Sequence, residues 1–152
     1  MTGGKVIVIV GPTASGKTRL AVVLAKKYDV EVISADSVSV YKSLDVGSAK
    51  PTEEEKRGVE HYMIDVADVA DDFSVSDYER LALPILQDIL SRGKTCVVCG
   101  GTGLYADSLL LGRSFAPCPS TGMRETLEAE GYRIGTIVES PAEGLLKYHH
   151  GR

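Results

Sequence analysis

The sequence predicts an α/β domain in which a parallel β-sheet is flanked by helices. Short runs of β-branched residues alternate with segments whose apolar residues recur at helical spacing. Strands that alternate with helices favour parallel pairing through right-handed crossovers. The chain has 152 residues, of which 43% are hydrophobic, so it is long enough to bury the core of one domain.

The first two strands and the helix between them have the clearest pattern. Val6–Val10 is a continuous β-branched run, typical of a strand buried on both faces of a parallel sheet. From Lys17 to Tyr28 the apolar residues recur at helical spacing, and two lysines occupy the last turn, where cations suit the helix dipole. Residues 30–34 form the second predicted strand.

A longer polar stretch separates these elements from the next ones. Tyr62-Met63-Ile64 predicts a short third strand. Ser74, with Asp77 three residues later, predicts the capped start of a helix that runs to about Arg92. Pro84 lies inside this segment and should kink or divide the helix.

The last strand and helix are joined by glycines. Thr95–Cys99 predicts a buried strand, the glycine-rich segment 100–103 turns the chain, and Leu104–Leu111 predicts a helix. Beyond Gly112 the character changes to a proline-containing linker and a tail without clear periodicity. We expect residues 1–112 to form the core, 113–130 to form a separate segment, and 131–152 to be an unassigned tail.

Charge and cysteine content exclude several classes of protein. There are 17 Lys and Arg against 21 Asp and Glu, so no basic coat is available for non-specific binding to nucleic acid or anionic membranes. No apolar stretch reaches the ~18 residues that span a bilayer, and we expect a cytoplasmic protein. Cys96 and Cys99 lie in an apolar run, which favours buried strand cysteines over a redox or zinc pair.

The strongest motif is the turn after the first strand, which fits the P-loop pattern GxxxxGK[ST] with a strand before it and a helix after it. Its backbone N–H groups would wrap a phosphate, Lys17 would reach the terminal phosphate, and the hydroxyl of Thr18 would bind Mg²⁺. The predicted phosphate-binding residues are Gly11, Pro12, Thr13, Ala14, Ser15, Gly16, Lys17 and Thr18.

The P-loop alone leaves kinase, NTPase and diphosphate-releasing transferase open. The Thr95–Cys99 strand ends in glycines, not in the metal-holding aspartate of an ordinary NTPase, and Asp65 could stand in for it or belong to a solvated loop. Asp36 follows the second strand and could serve as a base or merely cap a turn. Thr102 presents a hydroxyl at the same predicted sheet edge, in a turn that is by itself more often structural.

Taken together, these motifs resemble the tRNA dimethylallyltransferase family from about Lys5 to Pro119. The resemblance rests on the P-loop, Asp36-Ser37-Val38-Ser39-Val40-Tyr41, Asp45-Val46-Gly47-Ser48-Ala49-Lys50-Pro51-Thr52, Gly58-Val59-Glu60-His61-Tyr62-Met63-Ile64-Asp65 and Gly100-Gly101-Thr102-Gly103-Leu104-Tyr105. It implies a P-loop NTPase-like fold and transfer of a dimethylallyl group from dimethylallyl diphosphate to N6 of an adenosine next to the anticodon of tRNA. Mg²⁺ would be the cofactor, and diphosphate would be released.

The resemblance also implies roles for individual residues. Asp36 would be the general base, Thr102 would help to hold the adenosine, and Lys17 would stabilise the leaving diphosphate. Ser37, Val38 and Ser39 would contact the tRNA substrate together with Asp36 and Thr102. The adenine must be extruded from the tRNA to reach such a pocket.

Length and the tail set this chain apart from the family, whose enzymes are roughly twice as long. We expect residues 113–130 to begin a tRNA-binding insertion, and the resemblance ends near Gly131. The chain is therefore expected to be an N-terminal core portion with an incomplete sheet, an unpaired edge and weakened tRNA binding. An adenylate prenyltransferase acting on free AMP, ADP or ATP, and a non-catalytic diphosphate-binding remnant, are the alternatives.

Overall fold

The computed structural model describes residues 4–46, 50–112 and 129. Residues 4–46 and 50–112 belong to one unit, Met1–Phe115, and the fold is that of this unit. The expected boundary at residue 113 and the expected segments 113–130 and 131–152 lie outside the described residues, apart from residue 129. The elements are β1 (Val6–Val10), α1 (Lys17–Tyr28), β2 (Val30–Ser34), α2 (Glu53–Lys56), β3 (His61–Tyr62), α3 (Val75–Ser91), β4 (Thr95–Gly100) and α4 (Gly103–Leu111).

The strands form one parallel sheet in the order β1-β4-β2-β3. Val6 of β1 lies opposite Cys96 of β4, and Val30 of β2 lies opposite Thr95 of β4. Because all the strands point the same way, the loops after β1, β2 and β4 leave the sheet at a single edge. The predicted site residues follow these three strands, so the topology gathers them there.

Helices cover the two faces of the sheet. On one face α3 and α4 pack over β2 and β4, where Tyr78, Ile33, Ile89 and Val98 are fully buried. On the other face α1 packs Ala21 and Ala25 against the sheet, in a smaller cluster with Val32 and Val97. The predicted α/β class with a parallel sheet flanked by helices is therefore confirmed.

Most predicted elements have the expected limits, and β1, α1 and β2 match them residue for residue. The third strand is shorter than predicted and begins one residue earlier, at His61, because the backbone of Met63 takes a left-handed conformation with φ 64°. Cys96 and Cys99 are buried in β4 as free cysteines.

Helix α3 begins with the predicted capping box. The Ser74 hydroxyl accepts from the Asp77 N–H at 3.2 Å, and the Asp77 carboxylate accepts from the Ser74 N–H at 3.0 Å. Pro84 does not divide the helix, contrary to one of the expectations for it. Proline removes one hydrogen bond, and the buried face of α3 holds the segments on both sides of Pro84 against the sheet.

Strand β1 corrects the expectation of burial on both faces. In the described part of the chain β1 pairs only with β4, and Val8 and Val10 are 43% and 56% exposed. Within residues 4–46 and 50–112, β1 thus combines the β-branched pattern of a central strand with an edge position. Among residues 4–46 and 50–112, no helix has the length and apolar character needed to cross a bilayer.

Candidate active site

The P-loop connects β1 to α1 and shapes the N-terminus of that helix. Gly16 precedes the helix with φ 83°, a left-handed conformation that glycine adopts without strain. The Lys17 ammonium group folds back and donates to the carbonyl of Pro12 at 2.5 Å. No side chain caps α1, and its first turn contains no acidic residue. The first N–H groups of the helix are therefore available to an anion.

The loop after β2 is built around Asp36. Its Oδ1 atom accepts hydrogen bonds from the N–H groups of Val38 at 2.8 Å and Ser39 at 3.1 Å. Asp36 thus caps the turn, which was one of the two interpretations of this residue. Both bonds use Oδ1, so the capping leaves Oδ2 available for a second role, including that of a base.

The loop after β4 is tied directly to the Asp36 loop. Thr102 Oγ1 accepts from the Ser37 N–H at 3.0 Å and donates to the Ser37 hydroxyl at 3.2 Å. The Thr102 N–H donates to the carbonyl of Ala35 at 3.0 Å. Gly100 packs so closely that a Cβ atom there would overlap the backbone carbonyl of Ala35. The two predicted site loops are therefore held in one fixed arrangement.

A buried tyrosine on α3 stabilises the end of β2, from which the Asp36 loop begins. The hydroxyl of Tyr78, on α3, donates to the carbonyl of Ser34 at 2.9 Å, and the ring stacks on Tyr105 at 4.2 Å between centroids. Burial raises the pKa of Tyr78 far above its usual value, so the hydroxyl remains a donor. Tyr78 thus fixes the end of β2, two residues before Asp36.

The P-loop and the Asp36 loop share one cavity of about 460 Å³. Of the predicted residues, the P-loop from Thr13 to Thr18 lines this cavity together with Asp36 and Ser39. Gly11, Pro12, Ser37, Val38 and Thr102 are not among its lining residues. Thr102 instead reaches the Asp36 loop through its hydrogen bonds to Ser37.

Sequence reasoning missed four charged or titratable residues that line the cavity: Arg19, Lys50, Glu55 and His61. Arg19 directly follows the P-loop motif, which is a signal that could have identified it. Lys50 and Glu55 come from the polar stretch after β2 and His61 begins β3, so only the folded chain brings them to the site.

Lys50 lies at the cavity with its side chain only 8% exposed. Burial opposes its charged form, but hydrogen bonds to Asp65 at 2.5 Å and Asp45 at 3.0 Å outweigh this effect and raise the pKa of Lys50. Asp65, considered above as a substitute metal-holding residue, is therefore engaged by a lysine. Within the described ranges no group of three or more His, Cys, Asp or Glu residues could hold a metal.

His61 places an uncharged ring at the cavity. Its Nδ1 lies 2.8 Å from the carbonyl of Val59 and can donate to it, while Nε2 is buried without a hydrogen-bond partner among the described residues. Burial lowers the pKa of His61. The ring is therefore neutral at pH 7, and Nε2 is an acceptor that the described residues leave unpaired.

The fold and the site define a P-loop domain, an α/β domain whose first strand and helix present a phosphate-binding loop. A carboxylate from the next strand faces the same cavity.

Comparison with known protein families gives a more specific assignment. Residues 39–143 match the family model of IPP transferase. This chain belongs to the IPP transferase family. The matched segment extends to residue 143, beyond the point near Gly131 where the sequence resemblance was expected to end.

Curated relatives agree with this assignment. The chain is 52% identical over 131 residues to a tRNA dimethylallyltransferase of Acetivibrio thermocellus, covering 86% of this chain and 42% of the relative. It is 50% identical over 142 residues to a tRNA dimethylallyltransferase of Caldanaerobacter subterraneus, covering 91% and 45%. The chain thus spans less than half the length of these relatives.

Solved structures show the same relationship. The tRNA isopentenylpyrophosphate transferase of Bacillus halodurans superposes with a TM-score of 0.72 at 43% identity, over 84% of this chain and 43% of that one. A eukaryotic dimethylallyltransferase acting on tRNA superposes with a TM-score of 0.69 at 31% identity, over 80% and 31%.

Proposed function

We propose that this chain is the diphosphate-binding catalytic core of a tRNA dimethylallyltransferase. In this proposal it transfers a dimethylallyl group from dimethylallyl diphosphate to N6 of an adenosine next to the anticodon. The observation that carries the proposal is the cavity of about 460 Å³ that places Lys17 and Asp36 on its walls. A transfer that releases diphosphate needs an anion site and a base beside each other.

The P-loop supplies the anion site. In the transfer, the N6 lone pair forms a bond to the allylic carbon, and the C–O bond breaks with its electron pair leaving on the diphosphate. Lys17 and the free N–H groups of α1 lie where this negative charge develops, so they stabilise the transition state more than the ground state. This arrangement needs no covalent intermediate on the protein.

Asp36 supplies the base. Oδ1 is fixed by the N–H groups of Val38 and Ser39, so the carboxylate is held in one orientation. Oδ2 then accepts the proton that N6 loses. Thr102 holds the Asp36 loop through Ser37. Asp36 and the exposed residues Ser37 and Val38 would meet the tRNA substrate, whereas Ser39, expected to contact it as well, is only 2% exposed and lies beneath this surface.

Mg²⁺ fits this cavity through the Thr18 hydroxyl, a hard oxygen ligand on its wall. When bound through Thr18, the ion would neutralise charge on the diphosphate. We also propose a cytoplasmic location, which the similarity to tRNA-modifying enzymes supports. We propose the same organisation as before, with a core over residues 1–112, the start of a tRNA-binding segment over 113–130, and a tail from 131.

The test is transfer of radiolabel from dimethylallyl diphosphate to unmodified tRNA, with AMP, ADP and ATP as parallel acceptors. Asp36→Asn keeps an oxygen for the N–H groups of Val38 and Ser39 but removes the base, so we expect transfer to fall at least 100-fold with the fold intact. Asp72→Asn, an exposed carboxylate elsewhere on the surface, is the matched control.

The acceptor that receives the label and the activity of Asp36→Asn distinguish the proposed function from its alternatives. Transfer to free adenine nucleotides in preference to tRNA would replace the proposal by an adenylate prenyltransferase. Diphosphate binding without transfer to any acceptor would favour the non-catalytic alternative. Full activity in Asp36→Asn would show that Asp36 is not the base.

A further inference from the structure

The first turn of α1 carries two cations, Lys17 and Arg19, and no acidic residue. A helix N-terminus has a partial positive charge, so cations there are unfavourable unless an anion is present. The last turn, with Lys26 and Lys27, follows the favourable pattern instead. The two cations at the end of α1 that faces the cavity therefore oppose the helix dipole, at a cost to the stability of the free protein.

The three cations at the cavity differ in how they are paired. Lys50 is neutralised by Asp45 and Asp65, and the Lys17 ammonium group is bound to the Pro12 carbonyl. Arg19 is exposed and has no ion-pair partner among residues 4–46 and 50–112. Lys17 and Arg19 thus both lack a carboxylate partner among these residues, and Arg19 is the more exposed of the two.

We propose that Arg19 is a second phosphate-binding residue, which makes this site select a diphosphate over a single phosphate. The inference rests on the proposed function, because it deepens the specificity of the same cavity. A single phosphate is satisfied by the P-loop N–H groups and Lys17. The guanidinium of Arg19 can bind the second phosphate through two parallel N–H donors, a geometry that lysine lacks.

The experiment measures the affinity of the full chain for inorganic diphosphate and for inorganic phosphate by calorimetry. Arg19→Ala should weaken diphosphate binding about tenfold and phosphate binding less than twofold, because one charge-assisted contact is lost. Arg19→Lys should retain only part of the diphosphate affinity that Arg19→Ala loses. Lys26→Ala, which removes a cation from the opposite end of α1, should leave both affinities unchanged.

A second measurement separates binding from folding. Without ligand, Arg19→Ala should raise the melting temperature, since it removes an unfavourable charge from the helix N-terminus. Lys26→Ala should lower it. Opposite effects of Arg19→Ala on stability and on diphosphate affinity cannot result from general damage to the fold.

The outcomes also distinguish this inference from the proposed function. If Arg19→Ala binds diphosphate within twofold of the unmodified chain while Lys17→Ala loses binding, the site is a diphosphate site and Arg19 has no part in it. If the folded, unmodified chain does not bind diphosphate, the proposed function is wrong, and the inference on Arg19 falls with it. Equal loss of phosphate and diphosphate affinity in Arg19→Ala would overturn the proposed selectivity.

Discussion

Glu31 offers a stability prediction whose size can be worked out from the structure. It lies near the start of β2 with 7% of its surface exposed. Its carboxylate accepts from the Arg92 guanidinium at 2.6 and 2.7 Å, from Lys94 at 3.0 Å and from the Tyr62 hydroxyl at 3.0 Å. The hydrogen bonds to Arg92 are the main cause that lowers the pKa of Glu31 from 4.5 to about 2, although burial opposes them.

The perturbation is Glu31→Gln, which removes the charge but keeps the shape. The difference between the two pKa values corresponds to a contribution of about 3 kcal/mol to the free energy of unfolding at neutral pH, at ~1.4 kcal/mol for each pKa unit. The Arg92 side chain is 38% exposed, so solvent screens part of this energy. We expect the free energy of unfolding to fall by about 2 kcal/mol at pH 7.

The pH dependence follows from the direction of the shift. The lowered pKa stabilises the fold fully above pH 4.5, and this stabilisation is lost as the pH falls from there towards 2. Urea unfolding followed by circular dichroism at pH 7, 5, 4 and 3 measures it. The difference between the unmodified chain and Glu31→Gln should shrink steadily below pH 5. Glu79→Gln, on α3 outside this cluster, should show no such trend, and a difference that stays constant with pH would refute the reasoning.

Three further predictions concern the framework of the site and the sheet edge. Gly100→Ala should lower the free energy of unfolding, measured in urea, by about 3 kcal/mol or more, because the new Cβ overlaps the backbone of Ala35. Gly103→Ala is the control: its Cβ would have no atom within 4 Å, so this variant should fold normally. Tyr78→Phe should cost about 1–2 kcal/mol in the same assay, since it leaves a buried carbonyl unpaired; unchanged stability would contradict the role given to this hydroxyl. Val8→Lys should reduce concentration-dependent light scattering without lowering the melting temperature, because Val8 is 43% exposed on an apolar strand at the sheet edge of the described residues. An unmodified chain that stays monomeric at all concentrations would argue against this prediction.

Local sequence patterns predicted most of the fold. The β-branched runs and helical spacing gave β1, α1 and β2 with correct limits, because each pattern depends only on neighbouring residues. The P-loop was predictable for the same reason. The exposure of β1 was not, because burial of a strand depends on which elements lie beside it and not on its own composition.

The rest of the site depends on contacts between distant parts of the chain. Ser37 and Thr102 meet across 65 residues, and Tyr78 reaches Ser34 across 44. The pattern placed Asp36 at the correct sheet edge but left its role as turn cap or base open. The structure shows that the turn cap uses Oδ1, which leaves Oδ2 for the proposed base. Lys50 was missed as a cavity residue because its place is set by ion pairs that no local pattern reveals.

The most direct test of the central claim is a competition experiment on the intact chain with inorganic diphosphate and dimethylallyl diphosphate in the presence of Mg²⁺. If the P-loop cavity holds the diphosphate of the prenyl donor, the two ligands will compete for one site per chain, and Lys17→Ala will weaken both by a similar factor. Binding of dimethylallyl diphosphate that neither competes with diphosphate nor depends on Lys17 would contradict the account.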